Sequence, residues 1–336
     1  MESSIRMSGP ENAPWRGIPS FRRIDAQLGQ VSDLIRRSLA ARRAAEDLTP
    51  LLDHLNAHSG KLIRPGLVLL AGACFETPTE EHIRVSAMVE MIHHATLLHD
   101  DVIDDGHMRR GAPTVNRLWG NESAVLLGDF VLSQVFRMAA DLDASAARIV
   151  AQTAIRVCEG ELRQVGQRRN WRLSETEYIE IITEKSASFF SGCCRLGALL
   201  SHADDRHVES LARFGLFAGI AFQIADDLLD ITGDETRMGK TGNSDVAKDK
   251  LTLAVIHLLR TVEESQKTQV RAMLESRNAS RYELVDMLRR TGSLQYARER
   301  AQEHVTQAIQ ALADLPAGDA RDALVETAQF MANRTV

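Results

Sequence analysis

Two stretches of the chain carry the same acidic pattern. One reads His99-Asp100-Asp101-Val102-Ile103-Asp104-Asp105 and the other Gln223-Ile224-Ala225-Asp226-Asp227-Leu228-Leu229-Asp230, each holding a D-D-x-x-D. On a helix, positions four apart share a face, so Asp100 stands with Asp104 and Asp226 with Asp230. Like charges so placed destabilise an isolated helix by roughly 0.2–0.5 kcal/mol, and a divalent cation is the natural compensation. Magnesium takes one or two carboxylates and fills its other positions with phosphate oxygens and water. One such cluster reads equally well as a solvated acidic helix face. Two clusters, each embedded among apolar neighbours (Leu97, Leu98 and Val102; Ile220, Phe222 and Ile224) and each followed by basic residues, read as two metal-binding walls facing one diphosphate. The candidate metal ligands are Asp100, Asp101, Asp104, Asp226, Asp227 and Asp230.

A metal diphosphate also needs cations, which bind it through charge-assisted hydrogen bonds. Arg109 and Arg110 follow the first cluster; Lys240 and Lys250 follow the second. Lys185 lies within an otherwise apolar helical run, where a lysine is costly unless it snorkels or meets an anion. Lys61 and Arg64 sit one helical turn apart in Gly60-Lys61-Leu62-Ile63-Arg64-Pro65. Any one of these read alone is a surface charge; their order and spacing set them apart. His93 precedes Asp100 by seven residues and shares its helix face. His93, His94, His99 and His107 raise the question of zinc, but alternation with carboxylates and the lack of a closed tetrahedral set favour a hard, oxygen-ligated ion.

The elements that hold these residues read as helices. Glycine and proline cluster in residues 1–20, an expected irregular lead-in, and are absent from Thr79 to Asp105. Glu, Ala, Leu and Arg are common and β-branched alternation is scarce, so the apolar-periodic runs predict helices at 22–46, 47–58, 62–74, 79–105, 114–118, 121–142, 145–167, 174–200, 205–232 and 247–260, with more beyond. No repeat or Gly/Ser/Pro-rich linker divides residues 21–336, which predicts a single all-α domain. The polar, glycine-bearing stretch from Gly233 to Gly242 reads as a mobile lid.

Composition narrows the class further. The chain has 336 residues, 44% of them apolar, and a net charge of −6. No apolar run is long enough to span a membrane, no signal peptide is expected, and the charge balance argues against a nucleic-acid surface. Cys74, Cys158, Cys193 and Cys194 have no zinc-like spacing and read as reduced thiols of a cytoplasmic protein.

From about residue 50 to its end the chain resembles the trans-isoprenyl diphosphate synthases. The carriers are G-K-L-I-R-P at 60–65, E-M-I-H-H-A-T-L-L-H-D-D-V-I-D-D at 90–105, M-R-R-G-A-P-T at 108–114, G-D-F at 128–130, C-E-G-E-L at 158–162, E-K-S-A-S at 184–188, F-Q-I-A-D-D-L-L-D at 222–230 and K-D-K-L-T-L at 248–253. Leu62 stands where a basic residue is usual, and Asp249 where glycine is usual. The resemblance implies an all-helical bundle around a central substrate cavity, a homodimer, and magnesium as three ions bound with substrate. It implies that Asp100, Asp104 and Asp226 hold the ions, with Asp101, Asp227 and Asp230 in support. Arg109, Lys185, Gln223, Lys240 and Lys250 would contact the allylic diphosphate or its ions. Lys61, Arg64, His93 and Arg110 would bind isopentenyl diphosphate.

Product length has its own signal. One helical turn rises about 5.4 Å, close to an extended isoprene unit. Residues one to three turns before Asp100 therefore act as a ruler: Thr96, Ala95, Ile92, Val89 and Met88. None is aromatic, whereas short-product relatives place a bulky residue at Ala95 or Thr96. This predicts a hexaprenyl to decaprenyl product, with the pocket floor from Ile92, Met88 or the next helix (Leu132, Phe136). The rival readings are a geranylgeranyl diphosphate synthase, a class I terpene cyclase, which leaves Lys61, Arg64 and His93 without purpose, and a non-catalytic subunit of a heteromeric synthase.

Overall fold

The computed structural model describes residues 13–40, 48–57, 60–233, 250–275 and 281–333. The lid stretch, except Gly233, and Lys240 with it lie outside the described residues. The chain is all-α, in the order α1 (Asp25–Ala40), α2 (Thr49–Ala57), α3 (Ile63–Ala73), α4 (Glu80–Ile103), α5 (Val115–Ala139), α6 (Ala144–Gly166), α7 (Glu175–Ile182), α8 (Ser188–Leu200), α9 (Asp205–Thr232), α10 (Leu253–Thr261), α11 (Glu264–Glu275), α12 (Arg281–Arg290), α13 (Ser293–Ala311) and α14 (Asp319–Ala332). A π-helical turn, Thr183–Ala187, links α7 to α8. A small hairpin without a counterpart in the sequence reading, β1 (Met108–Arg109) and β2 (Ala112–Pro113), lies between α4 and α5.

The helices that carry the aspartates each pack against several others. α4 packs against α1, α3 and α5; α9 packs against α8, α13 and α14. One apolar core joins α1, α3, α4, α5, α8 and the first half of α9. A second gathers α7, the second half of α9 and α10 to α13, so α9 runs through both. The start of α4 is fixed by the fully buried His82. Its Nδ1 accepts the Thr79 backbone N–H at 3.1 Å, and its Nε2 lies 3.0 Å from Ser201 Oγ and 3.2 Å from the Gly197 carbonyl. With Nδ1 accepting, Nε2 carries the proton and donates. Burial holds this histidine below its usual range, in keeping with a neutral ring.

The sequence reading places a break between helices at 119–120, and the backbone is non-helical there: Gly120, with φ 87° and ψ 163°, separates two helical runs within α5. Only glycine enters that region without steric cost. The lead-in is more ordered than its glycines and prolines suggest. Residues 1–12 lie outside the described residues, but Pro14–Gly17 and Pro19–Ile24 are short 3₁₀ helices. Trp15, Ile18 and Phe21 are buried, because they alternate with polar residues at a spacing that presents one apolar side to α3 and α14. Ser20 Oγ meets Thr327 Oγ1 of α14 at 2.8 Å, and the Phe21 ring occupies the space a side chain at Gly66 would need.

Phe21→Ala is expected to lower unfolding stability by roughly 3–5 kcal/mol, measured by urea denaturation. A loss below about 1 kcal/mol would show that this segment contributes little to the core.

Candidate active site

The first aspartate cluster closes α4. Asp100 is the last residue but three of the helix, and Asp104 caps it, its backbone N–H bonded to the Asp100 carbonyl at 2.8 Å. Asp104 thus keeps helical register with Asp100. Asp101 lies about 100° further round and faces inward, 7% exposed. It accepts Arg109 Nε at 3.0 Å and Nη2 at 2.8 Å. Burial opposes the charge on Arg109, but these bonds outweigh it and raise the guanidinium's pKa. The second cluster on α9 is built the same way. Asp227 is buried and accepts Tyr178 Oη at 2.6 Å and Gln223 Nε2 at 2.8 Å, while Gln223 Oε1 accepts Ser186 Oγ at 2.7 Å. Asp226 is half-buried and Asp230 buried. In each cluster the middle aspartate is thus tied to protein donors.

Asp104 accepts two cations, Arg168 Nη2 on Oδ1 at 2.7 Å and Lys250 Nζ on Oδ2 at 2.8 Å. Lys185 projects from the π-helical turn, donates to Gln164 Oε1 at 2.8 Å and pairs with Glu161. Burial works against its charge, yet Asp100 and Glu161 prevail and raise its pKa. Burial pushes the Asp100 carboxyl up to about 6, against the pull of Lys185. Among the described residues no three His, Cys, Asp or Glu side chains converge into a closed metal cage. Oxygen-only carboxylates in partial burial fit an ion that takes one or two protein ligands and the rest from phosphate and water.

The π turn exists because α6 comes very close to it. A Cβ at Gly160 would lie 2.2 Å from the Lys185 backbone nitrogen, so only glycine permits this approach. π-Bulges are frequent at functional positions, and this one aims a lysine at the first aspartate cluster.

A second basic group lies on the other side of α4. The hairpin turn holds Arg110 at φ 52° and Gly111 at φ 78°, the left-handed pair of a type I′ turn. This places the Arg110 guanidinium against Gly60, where a Cβ would meet Nη2 at 2.5 Å. Arg64 stacks over Phe189 and Phe190, 4.9 and 4.7 Å from the ring centroids. Lys61 is exposed and lies 5.8 Å from the Phe330 ring centroid. Burial, then the charges of Arg64 and Arg110, hold His93 well below the usual histidine range, so its ring is neutral. The anion that balances these arginines is Glu90, 2% exposed. Burial opposes its charge, but His94 beside it, then Arg64 and Arg110, keep it below the usual carboxylate range.

Along α4, Met88, Val89, Ile92 and Ala95 are buried and Thr96 half-buried; Thr96 Oγ1 donates to the His93 carbonyl at 2.9 Å. Phe136, offered by the sequence as a pocket floor, is instead 70% exposed. It lies on the outer side of α5, while Leu132 packs against the core. His99 makes a helix–helix contact, its Nε2 3.2 Å from the Val125 carbonyl of α5. The sequence reading missed Glu90, Glu161, Gln164, Arg168 and Tyr178. Glu161, Gln164 and Arg168 recur at i, i+3 and i+7 beside Gly160, a helical-face signal that could have found three of them.

Residues 45–290 match the polyprenyl synthetase family model. The chain belongs to this family. It is 33% identical to a short chain isoprenyl diphosphate synthase of Methanothermobacter thermautotrophicus, over 91% of this chain and 99% of that one. It is 32% identical to heptaprenyl diphosphate synthase component 2 of Bacillus subtilis, over 99% and 97%. Among solved structures, a polyprenyl synthase from Caulobacter crescentus, complexed with calcium and isoprenyl diphosphate, superposes with a TM-score of 0.89 at 31% identity, covering 94% of this chain and 97% of that one. The polyprenyl synthetase chain described here is accordingly a prenyltransferase.

Gly160→Ala is expected to displace Lys185 and reduce prenyl transfer at least tenfold, with helix content by circular dichroism unchanged. Full activity in this variant would show that the π turn does not position the lysine.

Proposed function

We propose that this chain condenses isopentenyl diphosphate head-to-tail with an allylic diphosphate, with magnesium, to make a long all-trans polyprenyl diphosphate. The observation that carries this reading is one shared electrostatic cleft. Asp100 and Asp104 of α4 lie under the charges of Lys185 and Lys250, and Arg64, whose pKa burial lowers, feels Asp226 of α9 as the weakest of several nearby charges. Asp100, Asp104 and Asp226 are the ion ligands, supported by Asp101, Asp227 and Asp230, whose protein partners orient each cluster. Three magnesium ions, bound with substrate, would supply charge stabilisation to the departing diphosphate.

Arg109, Lys185, Gln223, Lys240 and Lys250 bind the allylic diphosphate and hold the charge that builds as its C–O bond ionises. Lys61, Arg64, Arg110 and the neutral His93 hold isopentenyl diphosphate so that its double bond faces the allylic cation. The new C–C bond forms, and the proton lost from the isopentenyl unit passes to the released diphosphate. The core around α4 and α9 keeps water from the cation.

The named relatives include both short-chain and heptaprenyl synthases, so the long product rests on this chain's own residues: Ala95 and Thr96 leave the first turn before Asp100 without a bulky side chain. For assembly we propose a homodimer through α5 and α6. They expose Leu126 (68%), Phe136 (70%), Ile155 (55%) and Leu162 (73%), far more apolar surface than a helix facing water normally carries. No described helix is long and apolar enough to cross a membrane, and all four cysteines are free; both accord with a cytoplasmic location.

Purified protein given labelled isopentenyl diphosphate, farnesyl diphosphate and magnesium is expected to yield products of six or more isoprene units. Asp226→Ala is expected to lose at least about a hundredfold in rate, and Ala95→Phe or Thr96→Phe to shorten the product. A single stop at geranylgeranyl in the parent chain would overturn the long-product reading, and no incorporation with any primer the condensation itself. Sedimentation equilibrium is expected to give twice the chain mass. A monomer active only beside a different subunit would replace the homodimer by a heteromeric synthase.

A further inference from the structure

Arg168 has no role in the reading above, yet it bonds an aspartate of the first cluster. It lies in the turn just beyond α6, four residues after Gln164 and seven after Glu161. Its Nη2 donates to Asp104 Oδ1 at 2.7 Å, with the two side chains 29% and 12% exposed. Its Nε is buried and has no hydrogen-bond partner among the described residues. A buried cationic donor without an acceptor is costly. The backbone beneath it is held firmly: Asn170 Nδ2 donates to Gln167 Oε1 at 2.6 Å, and Asn170 Oδ1 accepts the Arg172 N–H at 3.1 Å. Arg169 between them sits at φ 60°. These bonds brace the turn that carries Arg168.

Asp104 presents the complementary difficulty. Each of its oxygens already accepts from a cation, and although each keeps a second lone pair, two adjacent positive charges work against a metal ion there. Moving one of the two away favours entry of a metal diphosphate. Lys250 is the more enclosed, with its side chain 9% exposed, which makes Arg168 the partner with room to leave. A guanidinium presents a planar fork that matches phosphate oxygens, and its unpaired Nε supplies the second tooth.

We propose that Arg168 is a placeholder cation: it neutralises Asp104 in the empty site, then moves to the diphosphate when the metal diphosphate binds. This rests on the reading that the aspartate clusters take a metal diphosphate. The two halves of the proposal act in opposite directions on binding, which separates it from a merely structural role.

The test is equilibrium binding without turnover, on the full chain and its Arg168→Gln and Arg168→Lys variants. Manganese alone is titrated by the electron paramagnetic resonance of the free ion, and inorganic pyrophosphate in excess magnesium by calorimetry. Arg168→Gln is expected to bind manganese alone about three- to tenfold more tightly, since Asp104 is released. It is expected to bind pyrophosphate with magnesium at least tenfold more weakly. Arg168→Lys, which keeps the charge but lacks the fork, falls between on pyrophosphate and carries the test if the glutamine variant does not fold. Shifts in the same direction, or no shift, in variants whose parent binds pyrophosphate would overturn the placeholder role alone. A parent chain that binds no pyrophosphate with magnesium would overturn the metal-diphosphate reading with it.

Discussion

The constraint on which the rest of this structure depends is charge balance in a cleft of low dielectric. Many carboxylates and cations lie within a small, partly buried volume, and an unpaired charge there costs several kcal/mol. The fold meets this by pairing them: Asp101 with Arg109, Asp104 with Arg168 and Lys250, Lys185 with Glu161, and Glu90 beside His94, Arg64 and Arg110. Asp100 is compensated incompletely, its carboxyl pushed up to about 6 by burial against the pull of Lys185. A further positive charge beside it would favour its ionised form.

This balance explains why the two D-D-x-x-D clusters are not six equivalent ligands. Helical geometry turns the middle aspartate of each cluster away from its neighbours, into contact with donors from other elements. Asp101 binds the hairpin through Arg109, and Asp227 binds α7 through Tyr178 and its own helix through Gln223. Each middle aspartate ties a helix end to its neighbours, while Asp100 and Asp226 are half-buried and Asp104 meets Arg168 and Lys250. The same logic applies to Glu90, whose charge offsets those of Arg64 and Arg110 beside a neutral His93.

Close backbone packing then sets where the cations stand. The π turn carrying Lys185 depends on the absence of a side chain at Gly160, and the placing of Arg110 depends on a left-handed turn and on the space left at Gly60. These positions concentrate backbone cost at the site, while the two apolar cores through α9 supply the rigidity that holds it.

The sequence by itself determined the helical class, the helix positions as far as about residue 260, both aspartate clusters and most of the candidate cations, because helix periodicity and charge spacing are local properties that a chain displays along its length. It also displayed the family through motifs whose residues are contiguous. Tertiary structure alone decided which aspartate faces the cleft, that residues 13–24 are packed into the core, that Phe136 lies outside, and that Arg168, Glu161 and Glu90 belong to the site. Each of these depends on which elements meet. Asp104 and Arg168 are 64 residues apart, and Asp104 and Lys250 are 146 apart, and no spacing rule within one helix connects them. Pairing across such separations is set by the packing of α4, α6 and α9, and so is the chemistry their side chains can share.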